Sequence, residues 1–411
     1  MMENPAHAST HPEGTPRAPS RLHAFCGGVM EACWLAIAIL VPLAYSPHAV
    51  SGFQPFKIAV FRVLALVLGL AWIVQAIEGM RLPRSAPTEP GSRLQKALWI
   101  SLAVLTISHI AAAAFSVDPA QTVAGFFAAR AGTLSFLSGA VLCAALAVHL
   151  RTAQQVERLV TAIILPGIPL ALYAIAQRAG FDPLPHYKAD SRVFSLAGHP
   201  IFLAASLGMT APFALWRAVQ GFRHLADRRP AAIAVAALWI AVSVAFVVVI
   251  VLTGSRGALL ATIGTAAFFG IALGAAFHRR ALIVWTLAAC AIAIGILALI
   301  SMPNGPFASF TKSPIAQRYS STLPLAGKPD VYRDDIWAQI PKVMLARETI
   351  TFPDGRADWP QALRTTIGFG PETLTGVLPR FWSWRGPTGR TENSFHNLLW
   401  DAWYGTGAFG A

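Results

Sequence analysis

Long apolar runs alternate along the chain with short polar connections rich in arginine. A helix needs about 20 apolar residues to cross ~30 Å of hydrocarbon. Nine runs approach that length, at 32–48, 58–77, 97–115, 133–150, 159–176, 200–216, 231–253, 257–277 and 281–300. The pattern predicts an all-α polytopic membrane protein. Residues 1–30 read as a disordered cytoplasmic tail, and the first 24 hold no apolar core of the kind a cleaved signal peptide needs. Residues 301–394 read as one long periplasmic loop, and 395–411 as the start of a tenth transmembrane helix, giving about ten in all. That tenth run stops at Ala411 with no basic flank, so it is expected to be truncated and the sequence a fragment. Within the loop, Ile336, Trp337, Ile340, Val343 and Met344 recur at helical spacing and predict an amphipathic helix over 331–347, kinked at Pro341.

Composition agrees with a membrane protein. Apolar residues make up 55% of the chain and charged residues 12%, about half the charged share of a soluble domain. This excludes an ordinary soluble enzyme, and the apolar content excludes a disordered chain. The net charge of +13 would point to nucleic acid in a soluble protein. Here its distribution gives another reading. With the N-terminus inside, fourteen Lys and Arg fall in short cytoplasmic connections, against six outside: Lys57, Arg130, Arg178, Lys188, Arg192 and Arg256. That asymmetry sets topology, so the implied partner is the lipid bilayer, and no nucleic acid is required. Cys26, Cys33, Cys143 and Cys290 are scattered without metal-ligand spacing, and none lies in 301–394 to staple that loop.

The six outward cations carry the chemistry. Even-numbered spans begin at the outer face, and each opens on a cation or a histidine. Span two starts Gln54-Pro55-Phe56-Lys57 with Arg62 a turn later, and span four follows Arg130-Ala131-Gly132-Thr133. Span six follows Arg192 and opens Gly198-His199-Pro200, span eight opens Gly254-Ser255-Arg256-Gly257, and span ten opens Asn393-Ser394-Phe395-His396. A cation at a helix N-terminus opposes the macrodipole by a few tenths to ~1 kcal/mol, and placing it outside opposes the insertion preference. Both costs vanish when an anion lies there, because backbone N–H groups and arginine forks converge on it. Each arginine taken alone is equally consistent with snorkelling to the headgroups; the five helices together predict a shared anion site at the outer surface.

The remaining polar residues divide between structure and chemistry. His109, isolated in span three, reads as a hydrogen-bonded interior residue, and His199 as a possible cap of span six. His396 has Glu392, Asn393, Asn397 and Asp401 close in sequence, so it reads either as a general base or as a capping group. Asp334-Asp335 reads as a solvated helix face, and Arg333 as a loop cation or the ion-pair partner of Asp330 or Asp334. Six of the twelve tryptophans lie in the last 75 residues. They fit an interfacial belt with a small core, or a platform for sugar rings or a lipid headgroup. The sequence has no DxD, no HExxH, no Cys/His cluster and no GxxxxGK[ST] loop, so no metal or other cofactor is called for. A reaction outside the membrane without nucleotide needs an activated donor that arrives with the lipid, such as a polyprenyl-diphosphate sugar.

With these residues in view, the chain resembles the O-antigen ligase family, polytopic membrane glycosyltransferases that include lipopolysaccharide O-antigen ligases, O-antigen polymerases and protein O-oligosaccharyltransferases. The resemblance runs from about residue 35 and rests on Gln54-Pro55-Phe56-Lys57 with Arg62, Phe115-Ser116-Val117-Asp118-Pro119, and Arg192-Val193-Phe194 with Gly198-His199-Pro200. It continues through Thr253-Gly254-Ser255-Arg256-Gly257, Gly368-Phe369-Gly370-Pro371-Glu372-Thr373, and His396-Asn397 with Gly405 and Gly410. It implies glycan transfer from undecaprenyl diphosphate to a hydroxyl acceptor, inverting and metal-independent, at the periplasmic face of the bacterial inner membrane. Lipid A-core is the first choice of acceptor; polymerase and protein glycosylase are the alternatives within the family. In the resemblance Arg192 and Arg256 grip the diphosphate and His396 takes the acceptor proton; Lys57, Arg62, Arg130, His199, Arg333 and Asn397 are added as the expected substrate-binding set from their place at the outer face. The family often has Gly-Asn-Pro where this chain has Gly-His-Pro. From other classes, a lipid-linked glycan transporter would call for ionisable residues at the bilayer midplane, where only His109 stands out. A non-catalytic glycan-binding membrane protein is the other alternative.

Overall fold

The computed structural model describes residues 20–48, 53–80, 93–127, 129–184, 192–223, 230–302, 306–307, 314–320, 331–346, 349–351, 355, 357–381 and 393–411. Helices dominate them: α1 Arg21–Leu43, α2 Gln54–Met80, α3 Arg93–Ala114, the short α4 Pro119–Ala124, α5 Thr133–His149, α6 Ala153–Ile164, α7 Gly167–Arg178, α8 Pro200–Arg223, α9 Pro230–Leu252, α10 Arg256–Ala276 and α11 Arg280–Ser301. Beyond them come α12 Pro314–Tyr319, α13 Val331–Ala338, α14 Ile340–Met344, α15 Arg364–Ile367, α16 Leu374–Val377 and α17 Leu398–Thr406. The one extended pairing among the described residues is the isolated bridge Thr351–Ala357.

Among the described residues, eight helices are long and apolar enough to cross a membrane, with α6 and α7 counted as one. Of the nine expected runs, 133–150 forms the 17-residue apolar helix α5. The chain is therefore an all-helical, multi-pass membrane protein. Large apolar side chains such as Leu66, Ile73, Phe268, Trp285 and Ile292 stand exposed on the spans, as a lipid-facing surface requires.

Several boundaries differ from the sequence reading. α1 begins at Arg21, inside the stretch read as a tail, because Ser20 caps it by accepting from the His23 N–H at 3.1 Å. The fifth run is broken at Leu165-Pro166, where Pro166 lacks the N–H an unbroken helix would use. Residues 395–411 hold α17, nine residues long and closed by Gly407 at φ 71°. At 1.5 Å per residue this is ~14 Å, about half a hydrocarbon core. The expected helix over 331–347 forms as α13 and α14, broken at Gln339 with Pro341 in the first turn of α14. Its predicted apolar positions Ile336, Ile340, Val343 and Met344 are buried, and Asp334 and Asp335 are exposed.

Two cores lie within the spans. Met30, Trp34, Leu68 and Ala145 join α1, α2 and α5, while Leu170, Leu203, Leu207, Phe246 and Ile250 join α7, α8 and α9. A third belongs to the late segment: Ile336, Ile340, Phe369, Leu374, Phe395 and Tyr404. This core is fastened to one end of the bundle. Val117 N–H donates to Phe369 O at 3.2 Å and Arg364 Nη1 to Phe115 O at 2.8 Å; separately, Ser301 Oγ ties α11 to α12 through Tyr319 O at 3.3 Å. The connections after α1, α3, α7, α9 and α11 all lie at this end, which is where the expected cations cluster.

Candidate functional site

The α9–α10 turn is the centre of the cationic end. Thr253 is fully buried and Ser255 nearly so, and between them Gly254 adopts φ +60°. A Cβ at Gly254 would stand 3.3 Å from Arg318 Cδ and 3.6 Å from Arg192 Nε, so the residue must be both left-handed and small. Arg192, in the connection after α7, is drawn onto this turn: Nε donates to Thr253 O at 2.7 Å and Nη2 to Ser255 Oγ at 3.2 Å. The next residue, Arg256, opens α10 and is half-buried. Arg318, on α12, lies against the same glycine.

Like charges are thus held together here. Partial burial first, and then Arg318, push the Arg192 guanidinium below its ordinary pKa. His199, exposed at the surface, caps the start of α8 through Nδ1, which accepts from Ile201 N–H at 3.2 Å. Its partial burial, then Arg192, hold the imidazole below its usual range. Tyr319 donates to Val251 O at 2.9 Å and is pushed up to about 12 by burial, while Arg192 pulls it the other way. Arginines beside a helix N-terminus repel one another and oppose the dipole, and an anion relieves both penalties. Arg318 was missed by the sequence reading, because 308–320 carries no periodic pattern; the only signal was a basic residue in the outer segment.

A second cluster surrounds Arg62 on α2. Its Nη2 donates to Ala124 O and Arg130 O, both at 2.8 Å, and to Ser135 Oγ at 2.9 Å; Nε adds a bond to Ser135 Oγ at 3.0 Å. Arg130 sits at φ 57°, its carbonyl turned to this arginine. The Glu372 carboxylate accepts from the backbone N–H groups of Phe126 and Ala131, with Arg62 and Arg130 nearby. Burial nevertheless dominates and raises its pKa. Gly370, at φ +106°, lets the 368–374 loop approach: a Cβ there would collide with Ser116 Oγ and Thr122 Oγ1. The arrangement clasps the late segment to the α4–α5 turn.

The other expected residues are placed as follows. Lys57 is buried and its Nζ donates to Val41 O at 3.3 Å and to Pro42 O, the last carbonyls of α1. Both carbonyls lie in the last turn of α1, and although Val41 O also accepts from Ala44 N–H at 3.3 Å, the ammonium acts there as a helix C-terminal cap. Asn397 is the N-cap of α17, accepting from Leu399 N–H at 3.0 Å and Trp400 N–H at 3.4 Å. His396 is exposed in the left-handed region at φ 55°, uncommon for a residue with a Cβ. The Asp401 carboxylate accepts from Ser394 Oγ and Phe395 N–H, both at 2.7 Å. Phe395, fully buried, receives Trp337 Nε1–H on its carbonyl at 2.8 Å and fixes the knuckle that carries His396. His109 stacks on Phe136 at 3.5 Å and contacts Leu105 O at 2.9 Å through Nδ1. Arg333 lies in α13 with its side chain outside the described residues, as do Lys188 and residues 382–392. Among the described residues no group of three or more His, Cys, Asp or Glu is arranged to hold a metal ion.

Fold and site together define an all-helical multi-pass membrane protein with a cation-rich turn at one end of its bundle. Comparison with protein-family models, curated proteins and solved structures finds no match to this chain.

Proposed function

We propose that this protein is a glycosyltransferase of the O-antigen ligase type, acting at the periplasmic face of the bacterial inner membrane. The donor is a glycan carried on undecaprenyl diphosphate, and the acceptor is a hydroxyl, lipid A-core before a growing glycan or a protein. The observation that carries the reading is the gathering of Arg192 and Arg318 on the turn that leads into Arg256, with His199 within electrostatic reach of Arg192. Its chemistry suits a diphosphate: planar guanidinium forks and a helix N-terminus on one small turn.

In the transfer, the acceptor oxygen attacks the anomeric carbon from the face opposite the diphosphate. The new glycosidic bond forms as the carbon–oxygen bond to the diphosphate breaks, and the diphosphate leaves with the electron pair. The arginines stabilise the charge that develops on it. His396 accepts the acceptor proton, for which its exposed position on a rigid knuckle is suited. Lys57 and Asn397 support the site as caps, and Arg62 and Arg130 through the clasp on Glu372.

The test is transfer by the protein in proteoliposomes supplied with labelled undecaprenyl-diphosphate glycan and with lipid A-core, glycan or peptide acceptors. Transfer to one of them is expected. His396→Ala should abolish it while donor binding persists. Arg256→Lys should weaken donor binding, because Lys offers a point charge without the fork. Donor movement across the vesicle without transfer would overturn the proposal in favour of a transporter.

A further inference from the structure

The opposite end of the bundle carries a groove that the proposed reaction does not use. It has a volume of about 450 Å³ and lies between α1, α6 and α8, within the size range of small-molecule sites. Arg217 on α8 is 18 residues from His199, ~27 Å along the helix, so the groove is separate from the cationic turn. Its lining is mixed: Glu157, Arg158 and Arg217 supply a polar rim of charged groups, and Leu35, Ile39 and the exposed Leu165 supply apolar surface.

The rim has one unused group of each sign. Arg217 donates through Nη2 to Glu157 O at 2.8 Å and Thr161 Oγ1 at 2.7 Å, and through Nη1 to Gln220 Oε1 at 3.2 Å. Its Nε–H is buried and has no partner. Arg158 is already occupied: it pairs with Glu31 at 2.6 Å. The Glu157 carboxylate makes no hydrogen bond or ion pair among the described residues, and the residue is exposed. An unpartnered buried donor is costly, and a negatively charged acceptor removes the cost.

We infer that this groove binds a phospholipid with a zwitterionic, primary-amine headgroup, phosphatidylethanolamine in chemical class. The phosphate accepts from Arg217 Nε–H, the ammonium donates to the Glu157 carboxylate, and an acyl chain lies along Leu35, Ile39 and Leu165. A purely anionic headgroup would leave Glu157 unanswered and repelled. A quaternary choline carries the charge but no N–H to donate.

The experiment is native mass spectrometry of the full chain released from nanodiscs of equimolar phosphatidylethanolamine, phosphatidylcholine and phosphatidylglycerol. Retained phosphatidylethanolamine is expected to exceed each of the others by about tenfold, the equivalent of one charge-assisted hydrogen bond. Glu157→Gln should erase the preference over phosphatidylcholine while total retained lipid stays. Arg217→Gln should lose retention of both zwitterionic lipids. Glu157→Gln changes an exposed side chain, so it decides the matter even where Arg217→Gln does not fold. Equal retention of the three lipids, a preference for phosphatidylglycerol, an unaltered preference in Glu157→Gln, or a lipid-free dimer would each overturn the inference. None of these outcomes depends on glycan transfer.

Discussion

The Arg364–Asp358 pair is the point at which the late segment is most exposed to a single change. Both residues are buried, Arg364 to 1% and Asp358 to 4% exposure. The fork is bidentate, with Nε to Oδ2 at 2.9 Å and Nη2 to Oδ1 at 2.5 Å. The remaining nitrogen, Nη1, donates to Phe115 O and Gly368 O, both at 2.8 Å, and the guanidinium lies 5.0 Å from the centre of the Phe369 ring. Asp358→Asn keeps the shape but strips the charge and turns an amide N–H₂ toward a donor. Breaking one side of a buried pair costs ~3–5 kcal/mol, because the surviving charge has no solvent. Arg364→Met leaves Phe115 O and Gly368 O without donors as well, at ~1–3 kcal/mol each. The assay is amide hydrogen exchange on the protein in nanodiscs. Phe369 N–H and Gly370 N–H bond to Tyr404 O and Gly405 O, so they report on this core directly. At 1.4 kcal/mol per decade, Asp358→Asn should cost them about two to three and a half decades of protection, with the amides of α8 and α9 unchanged. Wild-type protection at Phe369 and Gly370 in Asp358→Asn would refute the reasoning, since the pair would then be dispensable for docking the late segment.

Three further outcomes are expected. His199 has a lowered pKa and its Nδ1 must be unprotonated to cap α8, so the folded state binds fewer protons than the unfolded and stability falls as pH drops through ~6.5. His199→Asn should keep the cap and remove that slope in a thermal-melt series. Glu372 has a raised pKa, so the folded state binds more protons and stability declines as pH rises from the ordinary carboxylate value of ~4.3 to its higher folded value; Glu372→Gln should flatten this region of the same series. Gly254→Ala places a Cβ in the left-handed region at φ +60°, 3.3 Å from Arg318 Cδ. It should lower the melting free energy by ~1–2 kcal/mol and weaken donor binding more than turnover, read from the transfer assay as KM against kcat.

Much of the fold could be read from periodicity alone, because a lipid solvent leaves little choice about which residues form spans. The nine runs reappear as apolar helices, and the apolar face of 331–347 is the one buried in the late core. What stayed hidden depends on single atoms or on distant partners. The break at Pro166 is masked by unbroken hydrophobicity on either side. The early start of α1 rests on one hydroxyl, that of Ser20. The late segment is locked to the bundle by residues far apart in sequence, among them Arg364 to Phe115 and Glu372 to Phe126. No local pattern encodes such pairings.

The cations show the same limit in sharper form. Dipole and topology arguments select cations that need a negative partner at a helix mouth. A backbone carbonyl and a phosphate oxygen meet that need with the same acceptor geometry, so the sequence cannot separate them. Lys57 is engaged by Val41 O and Pro42 O, and Arg62 by Ala124 O and Arg130 O; in both cases the chain itself supplies the acceptor. The α9–α10 turn is different in kind. Arg192 receives one carbonyl and one hydroxyl there, while Arg318 adds positive charge to the same place. Neutral acceptors can satisfy the N–H groups of an arginine, but they cannot cancel repulsion between neighbouring cations. The accumulation of charge, more than any single arginine, is therefore what distinguishes an anion site from a set of caps, and it places the strongest claim on Arg192, Arg256 and Arg318.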